Sequence, residues 1–349
     1  MAKLSIAIIF GGKSSEHDVS ISSAATIANN ISDKYDVHYL YITKEGQWYL
    51  LDNINPEKST QKIPAIISPD TSSKGILVLK EKNTEFIKLD AVIPVLHGKN
   101  GEDGSLQGLL QLAGIPTVGC DVTSASACMD KVITNSVLMY SGIKKANFDW
   151  IYDYELEENP EECVKKIEEK LKSYPMFVKP AKAGSSVGIT KVKNREELLN
   201  GLKIAAKEDE KILIEESVVG KEVECAVLGN DKLIASTVGE IIPSGDFYDY
   251  ESKYISGTSR LCIPANISED FIKKIQKEAL KAYKLMGCKG LARIDFFVRE
   301  ETQEIFLNEI NTFPGFTEIS MYPKLMEEKG IKIPELIDRL IELALENNQ

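Results

Sequence analysis

Histidine is scarce in this chain, with three residues, at 17, 38 and 97, among 349. So few imidazoles leave little for a zinc centre or a Ser-His-Asp triad. Six cysteines occur, at 120, 128, 163, 225, 262 and 288, and no two stand as Cys-x-x-Cys. They read as reduced, mostly structural thiols. Basic charge is short too: 42 Lys and Arg against 53 Asp and Glu give a formal charge of −11. No basic cluster is dense enough to neutralise phosphodiesters, so no nucleic-acid partner is expected, and a small-molecule substrate fits better. Long apolar runs are missing as well. The first, Ser5 to Phe10, gives way at once to Gly11-Gly12 and charge, without the length or flanks of a signal peptide, and no later segment approaches a membrane span. A cytoplasmic protein with no membrane partner is expected. What is present is ordinary globular material, 43% hydrophobic, in a chain long enough for two or three domains.

The most informative residues lie near the C-terminus. Leu291-Ala292-Arg293-Ile294-Asp295-Phe296-Phe297 and Phe306-Leu307-Asn308-Glu309-Ile310-Asn311 are apolar, β-rich segments. Alternate residues of a strand share a face, so Arg293 pairs with Asp295, and Glu309 with Asn311. Arg299 to Glu304 is a polar run fit to turn a hairpin. A turn centred near Thr302 sets Asp295 opposite Glu309, within reach of cross-strand interaction. Two carboxylates and an amide then converge, an oxygen-only set that suits magnesium completing its shell from nucleotide phosphates and water. The plain alternative is a solvated hairpin face. Against it, the polar residues interrupt strongly apolar strands, and Asn311 runs into Thr312-Phe313-Pro314-Gly315-Phe316-Thr317, a loop whose proline and glycine suit a binding loop.

Upstream, residues 4–10 and 36–43 read as strands around a helical stretch from Ser20 to Ile31. Ala91 to Leu96 reads as another strand, followed by a glycine-rich loop and a helix from Gly104 to Ala113. Such alternation implies a parallel α/β sheet. Residues 124–141 look helical, Pro160 to Ser173 is an acidic helix, and Met176 to Lys179 with Val187 to Val192 form a strand pair around a Gly/Ser turn. From Lys211 come long strands, a polar insertion from Pro243 to Gly257, an amphipathic helix from Ser268 to Met286, the hairpin and a terminal helix.

Three loops can carry chemistry. Lys179-Pro180-Ala181-Lys182-Ala183-Gly184-Ser185-Ser186-Val187-Gly188 ends a strand in a lysine and continues in small residues, whose freed backbone N–H groups can cradle phosphate. It lacks the Gly-Lys-Ser/Thr of a Walker A loop, and a plain hairpin turn fits it equally. Gly11-Gly12-Lys13-Ser14-Ser15-Glu16 follows the first strand, where open α/β sheets bind ligands, although Glu16 could simply face a helix dipole. His97-Gly98-Lys99-Asn100-Gly101-Glu102-Asp103-Gly104 presents a histidine that could equally be a hydrogen-bonded loop residue.

Taken in order, these segments, with Met129-Asp130-Lys131, Phe247-Tyr248-Asp249-Tyr250, Lys253-Tyr254 and Tyr322-Pro323, resemble the D-alanine:D-alanine ligases of the ATP-grasp superfamily over nearly the whole chain. The resemblance implies an α/β, ATP-grasp fold in three domains. A Rossmann-like parallel α/β domain would occupy 1–122, a small α+β domain 123–213, and a C-terminal domain 214–349 with a flap at 243–257. It implies ligation of two D-alanines through a D-alanyl phosphate for peptidoglycan precursor synthesis, with ATP and two Mg2+ or Mn2+ ions, in a homodimer.

The same resemblance implies residue roles. Lys131, Lys179, Ser186, Glu215 and Glu222 would hold ATP, with Val218 at the adenine and Lys253 at the γ-phosphate. Asp295, Glu309 and Asn311 would hold the metals, and Arg293 with the Gly315 N–H the oxyanion. Glu16 would anchor the first ammonium and join Ser185 and Tyr254 in a link that closes the flap. His97 would sit near the first substrate, and Ser320, beside Met321, would hold the carboxylate of the second. Ser217 stands where some members carry an aromatic, and residues 53–88 show no family signature. A D-serine or D-lactate ligase of the same fold is the nearest alternative. D-serine users tend to carry an arginine where Met321 stands. A catalytically silent nucleotide binder would need a lost metal ligand, yet all three are present, and a carboxylase of the superfamily would not explain the Lys253-Tyr254 flap.

Overall fold

The computed structural model describes residues 3–242 and 260–346. The expected flap, with Lys253 and Tyr254, lies outside the described residues. The remaining chain forms three sheets around one cleft.

The first sheet begins with β1 (Leu4–Gly11), which pairs in parallel with β2 (Tyr35–Ile42) and later with β7 (Ala91–Val95). Ile6 to Phe10 are wholly buried, because both faces of this strand are covered. Ile6, Ile8 and Phe10 pack with the His17–Asn30 helix side and with Tyr322, Leu336 and Leu340 of the C-terminal helices, whereas Ala7 and Ile9 meet Leu106 and Leu110 of the Ser105–Leu112 helix. Between β2 and β7 in sequence come β3 (Trp48–Leu51), β4 (Lys62–Ile67), β5 (Gly75–Leu79) and β6 (Thr84–Lys88), an antiparallel meander that widens the sheet to β6-β5-β4-β3-β2-β1-β7. Residues 53–88 thus supply three strands that extend the sheet beyond β3.

The stretch 124–141 is two helices, Val122–Met129 and Lys131–Tyr140, rather than one. Asp130 divides them. Its backbone is extended and its carboxylate accepts from the N–H groups of Val132 (3.0 Å) and Ile133 (3.1 Å), the standard use of aspartate at a helix start. The other oxygen pairs with Lys211 Nζ at 2.6 Å in a largely buried setting. Asp130→Ala therefore removes a cap and leaves a buried ammonium uncompensated. We expect a loss of about 2–4 kcal/mol, read as a lower urea midpoint with an unchanged slope.

The second sheet is antiparallel, in the order β10-β9-β11-β8, from β8 (Phe148–Tyr152), β9 (Met176–Pro180), β10 (Thr190–Val192) and β11 (Lys211–Glu216). One face, with Val178, Ile212 and Ile214, buries against the helices Pro160–Leu171 and Arg195–Ala205. Strand alternation sends Phe177, Lys179 and Glu215 to the other face, which lines the cleft. Because β11 runs through Glu216, the passage to the third sheet falls between Glu216 and Lys221, slightly later than a division at 213/214.

The third sheet has the order β14-β13-β12-β15-β16, from β12 (Lys221–Leu228), β13 (Ile234–Ile242), β14 (Arg260–Cys262), β15 (Leu291–Arg299) and β16 (Glu304–Asn311). The helix Glu269–Leu285 covers Val223, Cys225, Ile294 and Phe296 on one face through Phe271, Ile275 and Ala279. Glu222, Glu224, Arg293 and Phe297 alternate onto the cleft face. This sheet meets the first where the backbones of Gly290 and Gly119 touch: a Cβ on Gly290, whose φ is +68°, would lie 2.9 Å from Gly119 N.

Candidate active site

The hairpin pairs as expected at its cleft end: Arg293 faces Asn311 and Asp295 faces Glu309. Toward the turn the register shifts, with Phe296 opposite Leu307 and Phe297 opposite Phe306, so that Asn308 is an extra residue in β16. The shift changes the parity of the strand. Without it Leu307, Glu309 and Asn311 would share a face; with it Leu307 enters the core under the Glu269–Leu285 helix while Glu309 and Asn311 line the cleft.

Arg293 organises the acids. Its Nε and Nη2 each lie 2.8 Å from an oxygen of Asp295, a fork of two charge-assisted hydrogen bonds, and Nε lies 3.0 Å from Glu224 Oε2. Burial opposes the charge, but Asp295 and Glu224 more than offset it and hold the guanidinium cationic. Among the described residues no cluster of three or more His, Cys, Asp or Glu forms a ready metal cage. Two carboxylates and an amide are a donor set for a hard divalent ion that takes its remaining ligands from phosphate and water. The residues fit that group.

Lysines line the opposite wall. Lys179 Nζ pairs with Glu215 Oε1 across β9 and β11, and Lys131 Nζ donates to the Ala183 carbonyl at 2.8 Å. Burial pulls Lys131 below the usual lysine range, countered in part by Glu309. Val218 and Glu222 border the same space. The small-residue loop between β9 and β10 bends over it with Ser185 and Ser186 both left-handed, at φ 49° and 60°. Conformations that disfavour a side chain concentrate at functional loops, which argues against a plain hairpin turn.

That loop reaches the N-terminal sheet through Glu16. Glu16 stands at the N-cap of the His17–Asn30 helix without capping it. Instead its Oε1 accepts from Ser185 Oγ, and a Cβ added to Gly184 would lie 2.8 Å from its Oε2. The carboxylate is turned from the helix into the cleft. Ser320 and Met321 line the other end. Ser320 Oγ bonds the Thr317 hydroxyl at 2.7 Å and accepts from its N–H at 3.0 Å, and Gly315 lies close by, where an added Cβ would come within 2.9 Å of Ser320 Oγ.

Of the described candidates, His97 and Asp295 do not line the cleft itself: Asp295 is 2% exposed and lies against Arg293, and His97 stands behind the wall. His97 is 4% exposed, shares a 3.1 Å hydrogen bond between Nε2 and Ser23 Oγ, and lies beside Phe313. Burial pulls it down to about 4, so it is a neutral imidazole. Ser23 Oγ also accepts from Phe316 N at 3.2 Å, so this pair braces the loop that holds Gly315.

Among the cleft residues that carried no sequence assignment are the charged Glu102, Glu224, Glu216 and Lys145. Glu102 accepts from Gly98 N at 2.7 Å, and burial, then the charge of Glu16, pushes its carboxyl up to about 8. Its place within Gly101-Glu102-Asp103-Gly104 was the available signal. Lys145 had none, being one of two adjacent lysines in an irregular segment.

Comparison with known proteins gives the family. The family described as D-ala D-ala ligase N-terminus matches residues 5–120, and D-ala D-ala ligase C-terminus matches residues 137–342. The chain belongs to this ligase family. It is 47% identical over 354 residues to a D-alanine–D-alanine ligase of Caldicellulosiruptor bescii, covering 100% of this chain and 97% of that protein. It is 49% identical over 352 residues to D-alanine–D-alanine ligase B of Clostridium tetani, covering 99% and 95%. Among solved structures, the VanG D-Ala:D-Ser ligase from Enterococcus faecalis superposes with a TM-score of 0.89 at 41% identity over 98% of this chain and 99% of that one. The D-alanine-D-alanine ligase from Coxiella burnetii gives 0.88 at 35% over 100% and 96%.

Proposed function

We propose that this protein joins two D-alanine molecules into D-alanyl-D-alanine, with conversion of ATP to ADP and phosphate, as a step in peptidoglycan precursor synthesis. The observation that carries the reading is that one cleft gathers the Glu16–Ser185 contact, the Lys131, Lys179 and Glu215 wall, and Arg293, Glu309 and Asn311 of the hairpin, with Asp295 buried directly opposite Glu309. A carboxylate, a phosphoryl group and an amine could meet there. In this account a carboxylate oxygen of the first D-alanine attacks the γ-phosphorus, releasing ADP and leaving an acyl phosphate. The amine of the second then attacks the carbonyl carbon, and collapse of the tetrahedral adduct expels phosphate. Lys131, Lys179, Ser186, Glu215, Val218 and Glu222 would position the nucleotide, with Lys253 from the flap. Glu16 would hold the first ammonium, and Ser320 the second carboxylate. Arg293 and the Gly315 N–H would stabilise the oxyanion. Asp295, Glu309 and Asn311 would hold two magnesium or manganese ions, which supply charge neutralisation at the transferring phosphate when bound.

We further propose three domains, with the last division moved to the Glu216–Lys221 connection, a homodimer, and a cytoplasmic location. Among the described residues no helix is long and apolar enough to cross a membrane.

A second reading, D-serine as acceptor, is favoured by the likeness to the VanG D-Ala:D-Ser ligase. Met321 argues against it. Its side chain lines the acceptor end of the cleft, buried, with its sulfur 2.5 Å from where a Cβ on Gly239 would stand. A thioether is a poor partner for an added hydroxyl, but an apolar pocket rejects such an isostere only modestly. D-serine should therefore be disfavoured by about 10- to 200-fold. Mixing purified protein, ATP, magnesium and equal D-alanine and D-serine should give mainly D-alanyl-D-alanine, with ADP formed only when a D-amino acid and a divalent ion are both present. A predominance of mixed dipeptide, or equal ADP release with L-alanine, refutes the assignment. Met321→Arg should shift the products toward D-alanyl-D-serine.

A further inference from the structure

The buried lysine that the proposed chemistry leaves unused sits against the hairpin bulge. Lys145 is 6% exposed, and its Nζ donates to the carbonyl of Asn308, the extra residue of β16. β16 is an edge strand, and the residue inserted by a bulge falls out of the ladder. The segment before β8 covers that edge. Leu307 N donates to the Lys144 carbonyl at 2.9 Å, Lys144 Nζ reaches Glu304 and lies 4.5 Å from the centre of the Phe306 ring, and Lys145 takes the next carbonyl along. Two adjacent lysines of one segment thus fasten β16 from its turn to its bulge.

Resting on the ligase reading, we propose that Lys145 is a positioning residue: by holding the Asn308 carbonyl it fixes the bulge that turns Glu309 toward Asp295, and so sets the divalent-ion affinity of the nucleotide complex. The parity argument makes the bulge necessary, because a slip of one residue would exchange the cleft and core faces of the strand. Lys145 lies among Glu215, Lys179, Glu309 and Lys131, and burial draws it down to about 7. The hydrogen bond survives loss of a proton, since a neutral amine still donates, so the role is one of geometry.

The test compares Lys145→Met, which cannot donate, with Lys145→Gln, which can. Binding of a non-hydrolysable ATP analogue is measured by calorimetry in EDTA, and binding of Mn2+ to the protein–analogue complex by loss of the free-ion paramagnetic resonance signal. Groups that orient metal ligands are typically worth 10- to 100-fold in affinity. Lys145→Met should therefore weaken Mn2+ binding by about 10-fold or more, and Lys145→Gln should recover most of it, while metal-free analogue affinity stays within about threefold. Unchanged Mn2+ affinity in folded Lys145→Met overturns the proposal. So does a loss confined to metal-free analogue binding, which would make Lys145 a direct nucleotide contact. If Lys145→Met does not fold, Lys145→Gln decides: near-native Mn2+ affinity supports the strap and a loss like that expected for methionine refutes it. Wild-type protein that binds Mn2+ and analogue but makes no dipeptide would sink the ligase reading while leaving the Lys145 comparison readable.

Discussion

Glu309→Gln should fold like the parent protein yet form dipeptide on the order of a thousandfold more slowly at saturating magnesium. Glu309 sits directly opposite Asp295 across β15 and β16, on the cleft face, beside Asn311. The amide is nearly isosteric, so packing is preserved, but the site loses one of two carboxylate charges that would face the cations at the transferring phosphate. Charge stabilisation at that point is needed most in the transition state, so kcat should fall far more than the affinity for D-alanine changes. Circular dichroism and thermal melting check the fold, and coupled ADP release with dipeptide quantitation checks the rate. A folded variant keeping more than about a tenth of the parent rate would remove Glu309 from the reaction centre.

Arg293→Ala should cost stability as well as activity. Asp295 and Glu224, both buried, lean on this guanidinium. Removing one partner of a buried charge cluster typically destabilises by about 3–5 kcal/mol, because the remaining charges are left uncompensated. If Arg293 is the oxyanion donor proposed above, its loss should add a fall of about 100- to 1000-fold in kcat. The pH dependence gives the sign. Without arginine the two acids should hold their protons in the folded state to higher pH than in the unfolded chain. The variant should therefore regain stability as pH falls from 8 toward 5, where the parent would not. Urea unfolding at several pH values measures this, and a deficit that is constant with pH would mean that the lost energy is packing alone.

The hairpin was legible because β alternation and a polar turn suffice to set Arg293 beside Asp295 and to oppose Asp295 to Glu309. The bulge was not. Leu307, Glu309 and Asn311 alternate as though on one face, and only packing of Leu307 beneath the Glu269–Leu285 helix reveals the change of parity. For the same reason Lys145 was hidden, since its partner is a backbone carbonyl. The break at Asp130 was missed because helix-compatible residues run on both sides of it. Residues 62–88 lack strong alternation because their strands extend the sheet outward, where β6 is mostly exposed. The sequence pointed to His97 through its loop motif but could not show its partner, because Ser23, which it meets behind the cleft wall, is 74 residues away in the chain.

The central claim is that this cleft activates the carboxylate of one D-alanine by phosphoryl transfer before an amine attacks it. It is tested most directly by following oxygen. D-alanine labelled with oxygen-18 in its carboxylate is incubated with the protein, magnesium and unlabelled ATP, and the released phosphate and dipeptide are analysed by mass spectrometry. An acyl phosphate requires that one carboxylate oxygen leave with each phosphate, so every dipeptide formed should be matched by one labelled phosphate and one ADP. Dipeptide accompanied by unlabelled phosphate, or ATP consumed without dipeptide, would contradict the account.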